Sequence, residues 1–490
     1  MMLSIRTNFE TPSTIDYYKT MVSFLLLSRL MLLSAATIGS VVGLHIGLIC
    51  PGHHGHLNPT ATLGAELQRR GHQVTLISTS PGSVAAERHG LEFQPIGVPE
   101  YESGVLQLQL AQEGRLRGLS AFWHTIRLFR REQQILLRDL PGVLVSRNID
   151  AICVDQLLPA AMDVADAHGI QSAVLCNALP LHLDSQVPPF VTTWGPSEKR
   201  HEKLRNRAAN MAIIVAASPF YIMLNKYRTN HGLTKHTPAS FQKGGRVQVT
   251  QIPSFVDFPR TNLPPHFFYS RPWHKANRDV AIPFPWDRLN DDRPIVYASL
   301  GSVQTGLQSL YLNIAQACAS LNVQLVLSLG RKGASLPSHT VLPSNAIVVD
   351  FAPQLQLLQR ASIVLTHAGL NTALEALSFG LPIVTVPLCN DQPGIAARLV
   401  HLGVAHAVPP GRATPPAIQQ AISKVLEDPS YQRAATRYQR MIDRCPTLSQ
   451  TAEILETALS RSGPLLRDDP EVTRILSFRP MANLTLSVGK

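Results

Sequence analysis

Two doubly wound α/β domains facing across a cleft are the fold this sequence predicts, on three observations. From Gly43 onward, short apolar runs alternate with helix-length stretches, the rhythm of a parallel sheet covered on both faces. That rhythm breaks once, over a proline-rich segment near residues 251–292, and then restarts. Finally, 490 residues exceed what one ordinary core supports, and 45% hydrophobic with 16% charged residues describes a globular chain.

In chain order, GLHIGLIC reads as a buried strand, NPTATLGAELQRRGH as a helix ending at Gly71, and QVTLIST as the next strand. IDAICVD and SAVLCNA repeat the pattern around the helical LPAAMDVADAHG. An amino-terminal domain over residues 43–250 follows, then a linker over 251–292 containing IPSFVDFPRTNLPPHFFYSRPWHK and IPFPWDRLNDD. PIVYASLGS, the helical LYLNIAQACASL, then QLVLSLG, AIVVDFA, SIVLTHAG and PIVTVPL make a second domain over 293–462. The helical stretches from about Pro415 to Ser460 are expected to pack on that domain, and residues 463–490 to form a loosely held tail.

Ahead of the first strand lies a hydrophobic extension, residues 1–42. Met21 to Leu44 is long enough to cross a bilayer at about 1.5 Å per residue. Arg29 interrupts it, and neither an aromatic belt nor a small-residue cleavage site follows. A membrane anchor, a poor signal peptide and a dispensable extension all stay open; peripheral membrane contact is expected rather than a span. Cys50, Cys153, Cys176, Cys318, Cys389 and Cys445 form no CxxC pair and read as reduced core residues of a cytoplasmic protein. A formal charge of +11 admits nucleic acid, anionic ligands or an anionic membrane. Without a dense Lys/Arg block interleaved with aromatics, nucleic acid is not expected as a partner.

The chemistry concentrates at strand ends. SIVLTHAG runs into NTALEALSFG, a helix with Leu370, Leu374 and Leu377 on one side, stopped at Gly380 and followed by Pro382. Such a junction aims free amides and a positive dipole end at one spot, where ligands of parallel sheets bind. His367, Asn371 and Thr372 add donors for a phosphate, and Glu375 suits vicinal ribose hydroxyls. The plainer alternative is that Asn371 and Thr372 cap the helix and Glu375 complements its dipole. VYASLGSVQTG is a second strand-to-turn junction, offering Gly301 and Ser302, though a Gly-Ser turn alone is weak. No Walker lysine motif or helix-opening GxGxxG is present, against ATPase and dehydrogenase readings.

FAPQLQLLQRASIVLTHAGLNTALEALSFGLPIVTVPLCNDQ resembles the nucleotide-sugar signature of family 1, UDP-dependent glycosyltransferases. The resemblance rests on Phe351, Pro353, Gln354, His367, Gly369, Asn371, Glu375, Pro382, Pro387, Asp391 and Gln392, and on GHLNP near the start. It implies the GT-B fold, two Rossmann-like domains with the UDP-sugar donor held mainly by the second. It further implies Phe351 beside the uracil, Gln354 on the nucleoside, and Glu375 on the ribose. The diphosphate would fall to His367, Asn371, Thr372, Gly301 and Ser302, and the sugar hydroxyls to Asp391 and Gln392. Plant members carry Trp at the position of Phe351, so nucleobase choice is less tightly specified here.

The same resemblance places a general base at His56 with Asp155 as its partner, His53 and His54 being close competitors. The chemistry asks for such a pair, since the acceptor hydroxyl must lose a proton as it attacks. Inversion at the anomeric carbon is implied, with no metal or other cofactor, in keeping with the lack of an Asp-X-Asp triplet. ASLGSVQ, IAQAC, VDFPRTNLP and NALPLHLDSQVPP are similar, more narrowly, to bacterial zeaxanthin glucosyltransferases. NALPLHLDSQVPPFVTTW, with Trp194, would then line an apolar cleft for a lipophilic acceptor, a carotenoid among the candidates. An epimerase or hydrolase of the same fold, or a non-catalytic nucleotide-sugar-binding protein, are the rival readings.

Overall fold

A computed structural model describes residues 43–113, 116, 118–196, 198–274, 282–290, 292–302, 306–337 and 340–477. The hydrophobic extension over residues 1–42 lies outside the described residues.

The first sheet holds β1 (His45–Ile49), β2 (Gln73–Ser78), β3 (Glu92–Pro95), β4 (Ala151–Asp155), β5 (Gln171–Cys176), β6 (Gln248–Thr250) and β7 (Phe267–Tyr269). Their order is β3-β2-β1-β4-β5-β6-β7, parallel throughout. The second holds β8 (Ile295–Ser299), β9 (Gln324–Ser328), β10 (Ala346–Val349), β11 (Ile363–Thr366), β12 (Ile383–Thr385) and β13 (Ala405–Ala407). It runs β10-β9-β8-β11-β12-β13, again parallel.

Period-two alternation splits the central strands between two cores. In β4, Ala151 and Cys153 face one core, while Ile152 and Val154 face the other. In β8, Tyr297 enters one core and Val296 and Ala298 the opposite one. Both faces are therefore covered, which is why these strands read as continuous apolar runs.

Three expectations need correction. The first sheet does not end at residue 250, because β7 pairs with β6, so part of the expected linker is a sheet edge. Three residues between prolines are too few to show a period. The helix Leu448–Leu459 does not pack on the second domain with Pro415–Glu427 and Pro429–Ile442. Ala452, Leu455 and Ala458 instead join Leu57 and Leu67 in the first domain's core. Glu456 of that helix accepts from Arg70 through both oxygens at 2.7 Å and from His72 at 2.9 Å. Nor is the segment after Gly463 loose as far as Ser477, since Leu465, Val472 and Ile475 are buried in the same core. Amphipathic periodicity says that a face is buried, not against which domain.

Candidate active site

Strand order reverses between β1 and β4, and between β8 and β11. In open parallel sheets such a switch point leaves a crevice beyond the strand ends, and the candidate residues follow those strands. His56 lies in the first turn of the helix His54–Arg69, just after β1. Asp155 is the last residue of β4, which pairs with β1. His56 Nδ1 lies 2.7 Å from Asp155 Oδ2.

Asp155 is fully buried and fixed from three directions. Oδ2 also accepts from Asn177 Nδ2 at 2.8 Å, and Oδ1 from the Leu157 amide at 2.9 Å. Asn177 Nδ2 bonds Thr60 Oγ1 as well. A carboxylate on Nδ1 holds the proton there and leaves Nε2 as the basic nitrogen. Burial pulls the His56 pKa down, but Asp155's charge and hydrogen bond, with Asp391 and Glu132 beyond, lift it above the ordinary value. His54 moves the opposite way, lowered by burial and by the Arg88 charge. Of the three histidines in this loop, His56 is the one brought onto Asp155.

Across the crevice, β8 leads into Gly301 and Ser302, and β11 into His367 and Gly369. The His367 ring lies against both glycines: a Cβ on Gly301 would come within 2.7 Å of its Cε1, and one on Gly369 within 2.6 Å. Gly301 also takes φ +77°, a conformation that favours glycine. Ala368, between His367 and Gly369, holds φ +66° without being glycine, a strained backbone of the kind that clusters at ligand sites. Burial pushes the His367 pKa down to about 4 against a hydrogen bond to the Ser299 backbone, so the ring is neutral near pH 7.

The helix Leu370–Ser378 starts at Gly369 with no side-chain cap. Its first amides are thus left for a ligand, and neither Asn371 nor Thr372 acts as the cap. Asn371 reaches across the crevice instead: Nδ2 donates to the Gly55 carbonyl at 2.9 Å, and Oδ1 accepts from Gln251 Nε2 at 2.9 Å. Glu375 is buried and accepts from Gln354 Nε2 at 2.5 Å. Gln354 Oε1 accepts in turn from the Tyr297 hydroxyl at 3.0 Å, and Gln354 Nε2 lies 3.5 Å from Thr372 Oγ1. Phe351 is 37% exposed, a flat apolar face on the cavity lining.

Asp391 precedes the helix Gln392–His401. Burial raises its pKa, opposed first by the His56 charge, so the two groups sense each other across the domains. The Gln392 side-chain oxygen accepts from the Leu388 and Cys389 amides at 2.8 and 3.0 Å. Its Nε2 donates to Cys389 Sγ at 3.7 Å, which closes the loop and holds the amide on the cavity lining. Behind this helix, Arg398 donates to Asp257 Oδ1 at 2.8 and 3.0 Å. Arg260 binds Asp257 Oδ2 at 2.5 Å and the His182 carbonyl at 2.6 Å. The Gly394 amide donates to the Phe190 carbonyl at 2.9 Å. The helix is thereby seated against the 180–190 loop of the first domain.

One cavity of about 600 Å³ takes in His56, Gly301, Ser302, Phe351, Gln354, His367, Gly369, Asn371, Thr372, Glu375, Asp391 and Gln392. Asp155 stands behind His56, outside the lining. On the first-domain side Ile126, Phe129, Leu181, Ile214, Phe220 and Tyr221 form an apolar stretch of wall, with Arg88, Gln156, His182 and Gln242 as polar members of the same lining. Trp194, expected in that wall, lies elsewhere: the Arg205 guanidinium stacks 3.8 Å above its ring, a contact between distant side chains that the sequence does not announce. Among the described residues, no group of three or more His, Cys, Asp or Glu side chains is arranged to hold a metal ion. Asn177, Gln251 and Tyr297 were not legible beforehand. Asn177 alone left a signal, a polar residue directly after an apolar strand.

Parallel sheets with facing switch points and an open helix terminus define a two-domain nucleotide-binding architecture. Solved structures share it. A calicheamicin glycosyltransferase superposes with a TM-score of 0.67 at 20% identity, over 86% of this chain and 100% of that one. The kitacinnamycin glycosyltransferase does so with the same score and identity, over 85% and 99%. This is the GT-B fold. Residues 48–447 match the family described as UDP-glucoronosyl and UDP-glucosyl transferase, and the chain belongs to that family of enzymes. Among relatives, a zeaxanthin glucosyltransferase of Pantoea ananas is 26% identical over 86% of this chain and 97% of its own. The 4'-demethylrebeccamycin synthase of Lentzea aerocolonigenes is 24% identical over 78% and 92%.

Proposed function

We propose that this enzyme moves a hexose from a UDP-sugar to a hydroxyl of a lipophilic small molecule, inverting the anomeric centre. One observation carries the reading: an imidazole oriented by a buried carboxylate shares a cavity with an uncapped helix N-terminus.

In this reading the acceptor oxygen forms a bond to the anomeric carbon as the bond from that carbon to UDP breaks. The acceptor proton passes to His56 Nε2, and Asp155 stabilises the resulting imidazolium. Charge developing on UDP is met by the amides of Leu370–Ser378, the Gly301–Ser302 turn and neutral His367. Thr372 adds a hydroxyl there, whereas the Asn371 amide is spent on the domain contact. Phe351 stacks on the base, Glu375 with Gln354 takes the nucleoside, and Asp391 with Gln392 Nε2 takes the sugar hydroxyls. Glucose and a hydroxylated carotenoid are the sugar and acceptor this reading favours, supported by the apolar wall and the zeaxanthin glucosyltransferase relatives.

The test is His56→Ala, with UDP-glucose and hydroxylated carotenoids, sterols and flavonoids, products read by mass spectrometry. Transfer should fall by at least about 100-fold while calorimetric UDP affinity stays put. Near-normal transfer would remove His56 from its role. Release of free sugar by the wild type, with no acceptor modified, would favour a hydrolase.

A further inference from the structure

The helices Arg200–Ala216 and Ser218–Asn230 meet at a 56° bend. Their inner side forms cavity wall through Ile213, Ile214, Ala217, Phe220 and Tyr221. A surface helix with one buried stripe should turn polar residues outward, and this pair turns large apolar ones outward as well. Leu204, Met211 and Val215 are 66%, 57% and 64% exposed. Their spacing of seven and then four residues sets them in one stripe opposite Ile213. Ile222, beyond the bend, is 69% exposed. Single exposed apolar residues are ordinary, but a continuous stripe marks a surface that meets something. No single described helix is long and apolar enough to cross a membrane; this bent pair is the one place among the described residues that reaches that composition.

The charge around the stripe selects the partner. Residues 199–230 carry seven Lys or Arg against a single acid, Glu202; Arg228 is buried and paired with Asp163 and Asp166, which leaves six for the surface. Arg200, Arg207 and Lys226 are exposed and lie on the same side as the stripe by helical spacing. A second copy of this chain would set these cations against one another. An anionic bilayer accepts both, apolar side chains at the acyl boundary and cations among the headgroups.

We infer that the outer face of this helix pair docks on an anionic membrane surface, with Leu204, Met211, Val215 and Ile222 inserted. The docking does not depend on the reaction proposed above. Its use does: the same helices wall the cavity, so a membrane-dissolved acceptor would enter without crossing water.

The experiment uses the full chain with phosphatidylcholine vesicles, with and without phosphatidylglycerol. Flotation should recover the protein with the anionic vesicles, less so at high salt. Hydrogen exchange over residues 200–230 should slow when they are added. A variant with Leu204, Met211, Val215 and Ile222 each changed to Glu should partition roughly tenfold or more weakly, and R200E/R207E/K226E should lose the preference for anionic lipid. Binding with unchanged exchange over 200–230, or equal binding by the Glu variant, would place the lipid contact elsewhere and overturn the inference. So would failure of the wild type to float, or its sedimentation as a dimer that the Glu variant abolishes. Transfer to a water-soluble phenol should survive in the Glu variant, which separates a failed docking face from a failed active site.

Discussion

Asn371 of the second domain donates to the carbonyl of Gly55, the residue before His56, at 2.9 Å. The helix whose N-terminus opens on the cavity is thereby tied to the turn that carries the candidate base. Losing one such bond costs stability only about 1 kcal/mol, whereas misplacing reacting groups by an ångström costs up to roughly 100-fold in rate. Asn371→Ala should therefore lower kcat far more than it lowers the melting temperature. Steady-state kinetics beside a thermal melt will show it, and an unchanged kcat would reduce the contact to packing.

Asp155→Asn keeps the shape but removes the charge that orients and supports His56. Transfer should drop by about 10²–10⁴-fold. The proposed UDP site is on the other side of the cavity, so calorimetry should find UDP affinity little altered.

The same pair sets the pH profile. A base works unprotonated, and His56 is held above the ordinary imidazole value. Activity should therefore fall as pH drops through a pKa above about 6.5. In Asp155→Asn the raising charge is gone and burial, which lowers the pKa, remains. The residual activity should then lose its acid limb at lower pH than the wild type, as a kcat/KM profile against pH would record.

Gly369→Ala tests the seat of His367. Backbone φ at Gly369 is −63°, which alanine accepts, so the new methyl acts through its 2.6 Å approach to the ring. Overpacking of this kind costs about 1–3 kcal/mol, and UDP affinity should weaken by roughly 5- to 150-fold. Calorimetry is the check, with circular dichroism to show that the fold is kept.

Asp257 is buried between Arg260 and Arg398. Asp257→Ala strands two cations and should destabilise by about 3–5 kcal/mol. Arg398→Met leaves Asp257 paired with Arg260 and should cost less. Urea unfolding midpoints will rank the two.

By itself the sequence determined the doubly wound class and pointed to most of the second domain's share of the candidate site. Apolar strands, glycine turns and helix starts are local, and His367, Gly369 and Glu375 lie within one strand-turn-helix junction. The tertiary structure alone decided what meets across distance. His56 reaches Asp155, 99 residues away, because β1 and β4 pair at the switch point. Asn371 reaches Gly55 because the domains face each other, and Leu448–Leu459 returns to the first domain because Glu456 finds Arg70 and His72. Leu181, Phe190 and Val191 of the 177–194 loop line the cavity as the sequence led one to expect. The helical part of the apolar wall, Ile126, Phe129, Ile214, Phe220 and Tyr221, was invisible, since local periodicity records that a side chain is buried and carries no information about its neighbour.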